Sequence, residues 1–339
     1  MSLIHGGQLQ KIALDYQIPS EQWLDLSTGI SPFCYPIPEI PTSIWQQLPQ
    51  PSADLIAAAK SYYGCRHILA TSGSQSIISK LPALCQQHLG NELKVWLPRV
   101  GYKEHQKAWQ QHDYQICLYD QLPLPQQLTA RCVVVVINPN NPSGQLYSRA
   151  CLTDLLTKVE QLGGWLIIDE AFMDVIIPSQ SLIDHADNDH LMVFRSVGKF
   201  FGLAGIRLGF VSAAPRWLEA ITALSSPWEV NGPAQFIATQ ALLNTTWQQK
   251  QLADLQQLAE QLEFLLQQQF NNDISGTVLF KTVKLDHATE VFEQLCRHGV
   301  YVRLCDEKNA LRFGIATTKQ LSRLTKVLNH LNIAKLITD

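Results

Sequence analysis

From Cys132 to Phe210 the chain alternates unbroken apolar runs with segments of mixed polarity: CVVVVINP, SRACLTDLLTKVEQLGG, WLIIDEAF, HLMVFRSVGK and IRLGFVSA, in that order. Apolar runs without polar alternation suit strands covered on both faces, as in a mostly parallel sheet flanked by helices. In the segment after the first run, Leu152, Leu155, Leu156 and Val159 recur at helical spacing. Ser148 is placed to cap that helix and Gly163-Gly164 to end it. The pattern predicts an α/β domain whose ligand groups gather beyond the carboxyl ends of its strands. Further on, Gly232 to Phe270 reads as one or two long helices. Leu252, Leu255, Leu258, Leu262 and Leu265 form one stripe, and glutamines cover the opposite, solvated side. TVLFKTVKLD, ATEVFEQLCRHG, VYVRLC, ALRFGIA and a last helix from Thr318 then predict a small α+β unit. No internal repeat is evident.

Composition narrows the class. At 339 residues the chain sits near the size where one core divides into two. With 46% hydrophobic and 16% charged residues it has ample material for a core and none of the marks of disorder. A formal charge of -3 provides no basic field for a nucleic-acid backbone. The start, MSLIHGGQLQK, lacks a basic then apolar leader, and the apolar runs are too short to span a bilayer, so a soluble, unprocessed protein is expected. Eight cysteines fall at irregular spacings without a CxxC pair, which argues against a zinc site or a disulfide framework and suits a reducing cytoplasm.

Four segments at predicted strand ends or in loops carry chemistry. In RSVGKFFGLAGIR, Lys199 follows a buried strand, where nearby positive charge and partial desolvation free an amine for Schiff-base chemistry. Ser196 and Arg207 flank it with a hydroxyl and a guanidinium suited to a phosphate. Alone, such a lysine is usually an ordinary surface residue. Asp169 ends WLIID; a carboxylate there is costly to bury without a cation, and a pyridinium nitrogen would be one. At ~4 Å and an effective dielectric of ~20 that attraction is about 4 kcal/mol. A turn or helix-capping aspartate is the plainer alternative. NPNNPSG, directly after CVVVVI, holds Asn141 in a loop stiffened by prolines, or is simply a strand-ending turn. TSGSQS places Ser74 and Gln75 at the start of a helix, where free N–H groups cradle a phosphate, although serine and glycine also serve as plain caps.

In order, spacing and placement these segments together resemble the fold-type I pyridoxal-5′-phosphate (PLP) enzymes of the class I/II aminotransferase superfamily, over nearly the whole chain. The resemblance implies a PLP-binding large domain over 46–245 and a small α+β domain over 246–339. An N-terminal arm, 1–45, would contribute to the small domain and the active site. It further implies that Lys199 bears the cofactor, Ser196 and Arg207 bind its phosphate, Asp169 pairs with the ring nitrogen and Asn141 contacts the 3′-oxygen. The family is normally a homodimer with its site at the subunit interface.

Finer features, His5-Gly6-Gly7, Leu24 to Pro32 (LDLSTGISP), Asp169 to Phe172 (DEAF) and GKFFGLAG, are similar to the threonine-phosphate decarboxylases of cobalamin biosynthesis, with histidinol-phosphate aminotransferases as the nearest relatives. The implied reaction converts O-phospho-L-threonine to (R)-1-amino-2-propanol phosphate, the rival being transamination. Pro98 to His105 (PRVGYKEH) places His105, or failing it Tyr102, as the residue stacked on the cofactor ring. Arg303 and Arg312 are implied to grip the substrate's carboxylate and phosphate, with His5, Gly6, Gly29 and Asn141 also at the substrate; each arginine is otherwise a surface ion pair. Four positions depart from relatives: Phe172 and Leu48 stand where tyrosines are common, Gly198 where a phosphate-binding serine is common, and Gly29 where some decarboxylases carry asparagine.

Overall fold

Val133–Ile137, Trp165–Asp169 and Leu191–Ser196 are buried at every position and form the middle of a seven-stranded sheet. The sheet is seen in a computed structural model that describes residues 5–331. Strand order is Leu69–Thr71, Gly209–Ala213, Leu191–Ser196, Trp165–Asp169, Val133–Ile137, Lys94–Pro98 and Gln115–Tyr119. Only Gly209–Ala213 runs against its neighbours; the other pairings are parallel. This is the mostly parallel sheet expected from apolar runs without alternation.

Helices cover both kinds of surface with the residues the periodicity selects. Arg149–Gln161 buries Leu152, Leu155, Leu156 and Val159, and its start is capped by Ser148 Oγ, which accepts from the Cys151 N–H at 3.3 Å. Ser74–His88 sinks Ile77, Ile78 and Leu81 into a core shared with Val133, Val135, Ile167 and Phe194. The Gly232–Phe270 stretch is two helices, Gly232–Leu243 and Thr245–Phe270, parted at Asn244, whose Oδ1 accepts from the Trp247 N–H at 3.0 Å. The long helix buries Leu255, Leu258, Leu262 and Leu265 as its spacing predicts. Leu252 is only half-buried, and Gln251 takes the inward position instead, donating to Ser31 Oγ at 2.6 Å.

The chain divides into two compact units. One contains Cys34–Asn141 and Leu146–Trp247; the other contains the segment up to Phe33, Pro142–Gln145 and the segment from Gln248 onward. In the second unit an antiparallel sheet runs in the order Arg303–Leu304, Ala310–Gly314, Phe280–Lys284, Ile274–Gly276, and Leu24–Asp25 pairs parallel with Val300–Tyr301. The end of the Asn-Pro loop, Pro142–Gln145, belongs to the second unit. Its Pro142 carbonyl accepts from Thr282 Oγ1 at 2.6 Å, and Gly144, at φ +72, comes so near Gly276 that a Cβ would lie 2.3 Å from that residue's Cα. Among the described residues no helix is long and apolar enough to cross a membrane, and no group of three His, Cys, Asp or Glu side chains could hold a metal ion.

Candidate active site

Parallel register sets strand ends side by side: Ile137 lies opposite Asp169, and Asp169 opposite Phe194. Lys94–Pro98 leads outward to Gln115–Tyr119, after which the chain returns to Val133–Ile137 on its other side. Ligands of open α/β sheets bind beyond the carboxyl ends at such a reversal. A cavity opens there, lined by Gly73, Ser74, Gln75, Tyr102, Asn141, Asp169, Phe172, Ser196, Lys199 and Arg207 among others.

The Asn-Pro loop shows how one asparagine of three is selected. Asn138 donates to the Tyr147 carbonyl at 3.1 Å and accepts from its N–H at 2.8 Å, closing the loop's base. Asn140 is buried and donates to the Val100 carbonyl at 2.9 Å. Asn141 is the one that lines the cavity.

At one end of the cavity the Ser74–His88 helix starts from Gly73, at φ +86, with no side-chain cap. A Cβ on Gly73 would lie 2.9 Å from Arg207 Nη2, so first-turn N–H groups and a guanidinium meet over a position that only glycine leaves open. Ser196 Oγ, also in the lining, accepts from the Gly198 N–H at 3.3 Å. At Gly198 a Cβ would sit 3.1 Å from Ala204 Cα, so packing by Ala204 disfavours a serine there.

Asp169 supplies the opposite charge. Its Oδ1 accepts from the Ala171 N–H at 3.1 Å, and Oδ2 lies 3.0 Å from His105 Nε2. His105 is 1% exposed, parallel to the Phe194 ring at 6.5 Å, and its Nδ1 is buried without a hydrogen-bond partner among the described residues. It therefore sits against Asp169, and of the two alternatives from the Pro98 to His105 stretch it is Tyr102 that borders the cavity. The cause is local: the Lys103–Gln110 helix turns His105, Ala108 and Trp109 inward, while Tyr102, just before its first residue, lines the cavity. Tyr102 donates to Gln75 Oε1 at 3.0 Å, and burial pushes its phenol up to about 12. Lys199 Nζ lies 5.4 Å from the centre of the buried Phe172 ring.

Beside the cavity residues lies an ion cluster that no pattern in the sequence announced. Arg195 Nη1 donates to Glu170 Oε2 at 2.9 Å and Nη2 to Asp174 Oδ1 at 2.6 Å, with the guanidinium 4.5 Å from the Tyr63 ring centre. Burial raises the pKa of both carboxyls against the pull of Arg195. Burial also works to lower that of Arg195, but the Asp174 and Glu170 charges reverse it and leave the guanidinium held firmly in its charged form.

The remaining candidates belong to the second unit. Arg303 and Arg312 are Cα partners on adjacent antiparallel strands. Arg312 is buried, donates to the Ser27 carbonyl and lies 5.5 Å from the Phe280 ring centre; burial lowers its pKa to about 10, with the Arg303 charge adding to the effect. Gly6 lies so close to Ser27 that a Cβ would stand 2.1 Å from that carbonyl oxygen, and the Gly7 N–H donates to Ser27 Oγ at 2.8 Å. Tyr301 donates to the His5 carbonyl at 3.4 Å. His5, Gly6 and Arg312 thus converge around Ser27 and Tyr301, two residues the sequence did not single out. Gly29 is buried and has only backbone to offer.

A family profile for aminotransferase class I and II matches residues 43–328. The chain belongs to that family. Membership makes it a PLP-dependent enzyme, as the resemblance implied. It is 37% identical to a threonine-phosphate decarboxylase of Pseudomonas aeruginosa over 92% of this chain and 93% of that protein. It is 35% identical to another from Sinorhizobium sp. over 93% of each. The crystal structure of the Sinorhizobium meliloti histidinol-phosphate aminotransferase in complex with pyridoxal-5′-phosphate shares the fold, with a TM-score of 0.78, 16% identity and coverage of 97% of this chain and 96% of that one. The class I/II cavity described above fits the cofactor. A glycine-floored cradle under a guanidinium suits a phosphate, a buried strand-end carboxylate suits a ring cation, and a lysine amine lines the same space.

Proposed function

We propose that this chain catalyses the PLP-dependent decarboxylation of O-phospho-L-threonine to (R)-1-amino-2-propanol phosphate in cobalamin biosynthesis. What carries the reading is the convergence of Lys199, Asp169, Asn141, Ser196 and Arg207 on one cavity, in a chain similar over nearly all its length to two threonine-phosphate decarboxylases. Bound there, the cofactor supplies a protonated ring that accepts the electrons of the bond breaking at Cα. Asp169 holds the positive charge on the ring nitrogen, while the helix start at Gly73–Gln75, Ser196 and Arg207 hold the phosphate. Tyr102 packs on the ring and Asn141 donates to its 3′-oxygen.

Lys199 carries the cofactor and, once CO₂ has left, returns a proton to the substrate's Cα. Arg303 and Arg312 hold the substrate's carboxylate and phosphate. Their task is orientation: a carboxylate held fixed by the pair would favour CO₂ loss over proton removal at Cα. The enzyme works as a cytoplasmic homodimer. Trp45, Leu48 and Trp228, exposed at 63%, 62% and 56%, supply apolar surface for such an interface.

The test incubates PLP-loaded protein with O-phospho-L-threonine while CO₂ is measured, beside a reaction with histidinol phosphate and 2-oxoglutarate in which glutamate is measured. CO₂ release that disappears in Lys199→Ala supports decarboxylation. Glutamate without CO₂ makes the enzyme an aminotransferase acting on a phosphorylated amine, the second reading.

A further inference from the structure

Arg303 and Arg312 face each other as direct partners across an antiparallel ladder, an arrangement that is unfavourable for two like charges until an anion joins them. The chain provides one itself. Three residues beyond Arg303, Asp306 brings Oδ1 to 2.7 Å from Arg303 Nη2. The turn that presents it is defined: the Cys305 N–H donates to the Ala310 carbonyl at 3.0 Å, the Lys308 N–H donates to the Cys305 carbonyl at 2.9 Å, and Lys308 takes φ +56. Arg303 is 12% exposed and Asp306 32%, so the carboxylate forms the wetter side of the pair and is the partner that can swing out to solvent.

We propose that Asp306 competes with the ligand's phosphate for Arg303, re-pairing with the guanidinium as the phosphate departs and so speeding product release. The proposal rests on the reading of the arginine pair as the substrate's anion site. Decarboxylation removes the carboxylate but leaves the phosphate, so substrate and product share that grip. Binding that is equally strong before and after the chemical step lowers KM without raising kcat and slows the product's exit. A tethered carboxylate loosens the shared grip without touching the group that reacts. Its negative charge also offsets that of Arg303, which softens the attraction for a phosphate of about -1.5 to -2.

The test uses the PLP-loaded enzyme with Asp306→Asn, and Asp306→Ser as a second variant should the amide imitate the carboxylate's hydrogen bond. For each, the KM of O-phospho-L-threonine and the inhibition constant of (R)-1-amino-2-propanol phosphate are measured. Both constants are expected to fall by roughly three- to tenfold, the scale of a partly exposed charge pair, while kcat does not rise. A gain in affinity is not what structural damage produces. Constants that stay put or rise in both variants overturn the proposal, a rise meaning that Asp306 instead aims Arg303 at the ligand. Arg303→Gln separates the two levels. Weaker product binding keeps the anion site whatever Asp306 does, and unchanged product binding removes the anion site and the proposal with it.

Discussion

Asp169 and Glu170 are neighbours in sequence, both carboxylates and both buried, yet they meet different company. Glu170 is engaged by the chain: Ser181 Oγ and Arg195 Nη1 donate to one oxygen and the Leu182 N–H, at 3.3 Å, to the other. Asp169 accepts from Ala171, faces His105 and borders the cavity. A buried charge answered by its own chain is part of the scaffold, whereas one at the wall of a cavity is positioned for a ligand's charge. Burial alone does not separate them; the neighbouring surface does.

The largest effect is expected at the cavity's amine. Lys199→Ala lowers CO₂ release by more than about 10³-fold with thermal stability close to wild type, since the side chain lines open space. Next comes the direct contrast. Asp169→Asn lowers kcat on the order of 10²-fold while the unfolding free energy changes by about 1 kcal/mol or less. Glu170→Gln does the reverse, costing about 3 kcal/mol in denaturant unfolding because Arg195 loses a buried partner, with the holoenzyme's kcat within about threefold of wild type. Equal losses of kcat at unchanged stability in both variants would erase the distinction.

Gly73→Ala addresses the cradle. The new methyl would meet Arg207 Nη2 at 2.9 Å on a backbone at φ +86, and cofactor affinity measured by titration is expected to weaken about tenfold, or about 1.4 kcal/mol. The smallest effect concerns Glu229, which braces the same helix start. Its Oε1 accepts from Ser72 Oγ at 3.0 Å, from Ser76 Oγ and from Lys80 Nζ at 3.1 Å. Burial works to raise its pKa, but the Ser76 and Lys80 hydrogen bonds prevail and pull it below the ordinary glutamate value. A carboxyl depressed in the folded state stabilises fully above its unfolded pKa, and that contribution is lost as pH falls through the folded one. Glu229→Gln should therefore cost about 1 kcal/mol near neutral pH and flatten the loss of stability below about pH 4.5, read from melting curves across pH.

Much of this was legible in the sequence, for a physical reason. Strands buried on both faces leave an uninterrupted apolar signature, so Asp169, Ser196 and Lys199 stood out as polar residues where such runs end. Contacts across the sheet leave none. Glu170 and Arg195 stand 25 positions apart and Asp174 and Arg195 21, and their pairing depends on adjacent strand ends that no local periodicity records. His105 and Tyr102 share one motif, and which of them lines the cavity is settled by the phase of a helix, a rotation that motif spacing does not specify. Arg303 and Arg312 were visible as residues, but their direct opposition needed the register of the ladder, and Asp306 needed the turn between them.

The central claim is that the cavity at these strand ends holds PLP through Lys199. The most direct measurement loads the protein with PLP, reduces it with borohydride, digests it and locates the modified lysine by mass spectrometry. A single pyridoxyl group on Lys199, absent when excess O-phospho-L-threonine displaces the linkage before reduction, is the predicted result. A label spread over surface lysines, or one lysine other than Lys199, would contradict the account.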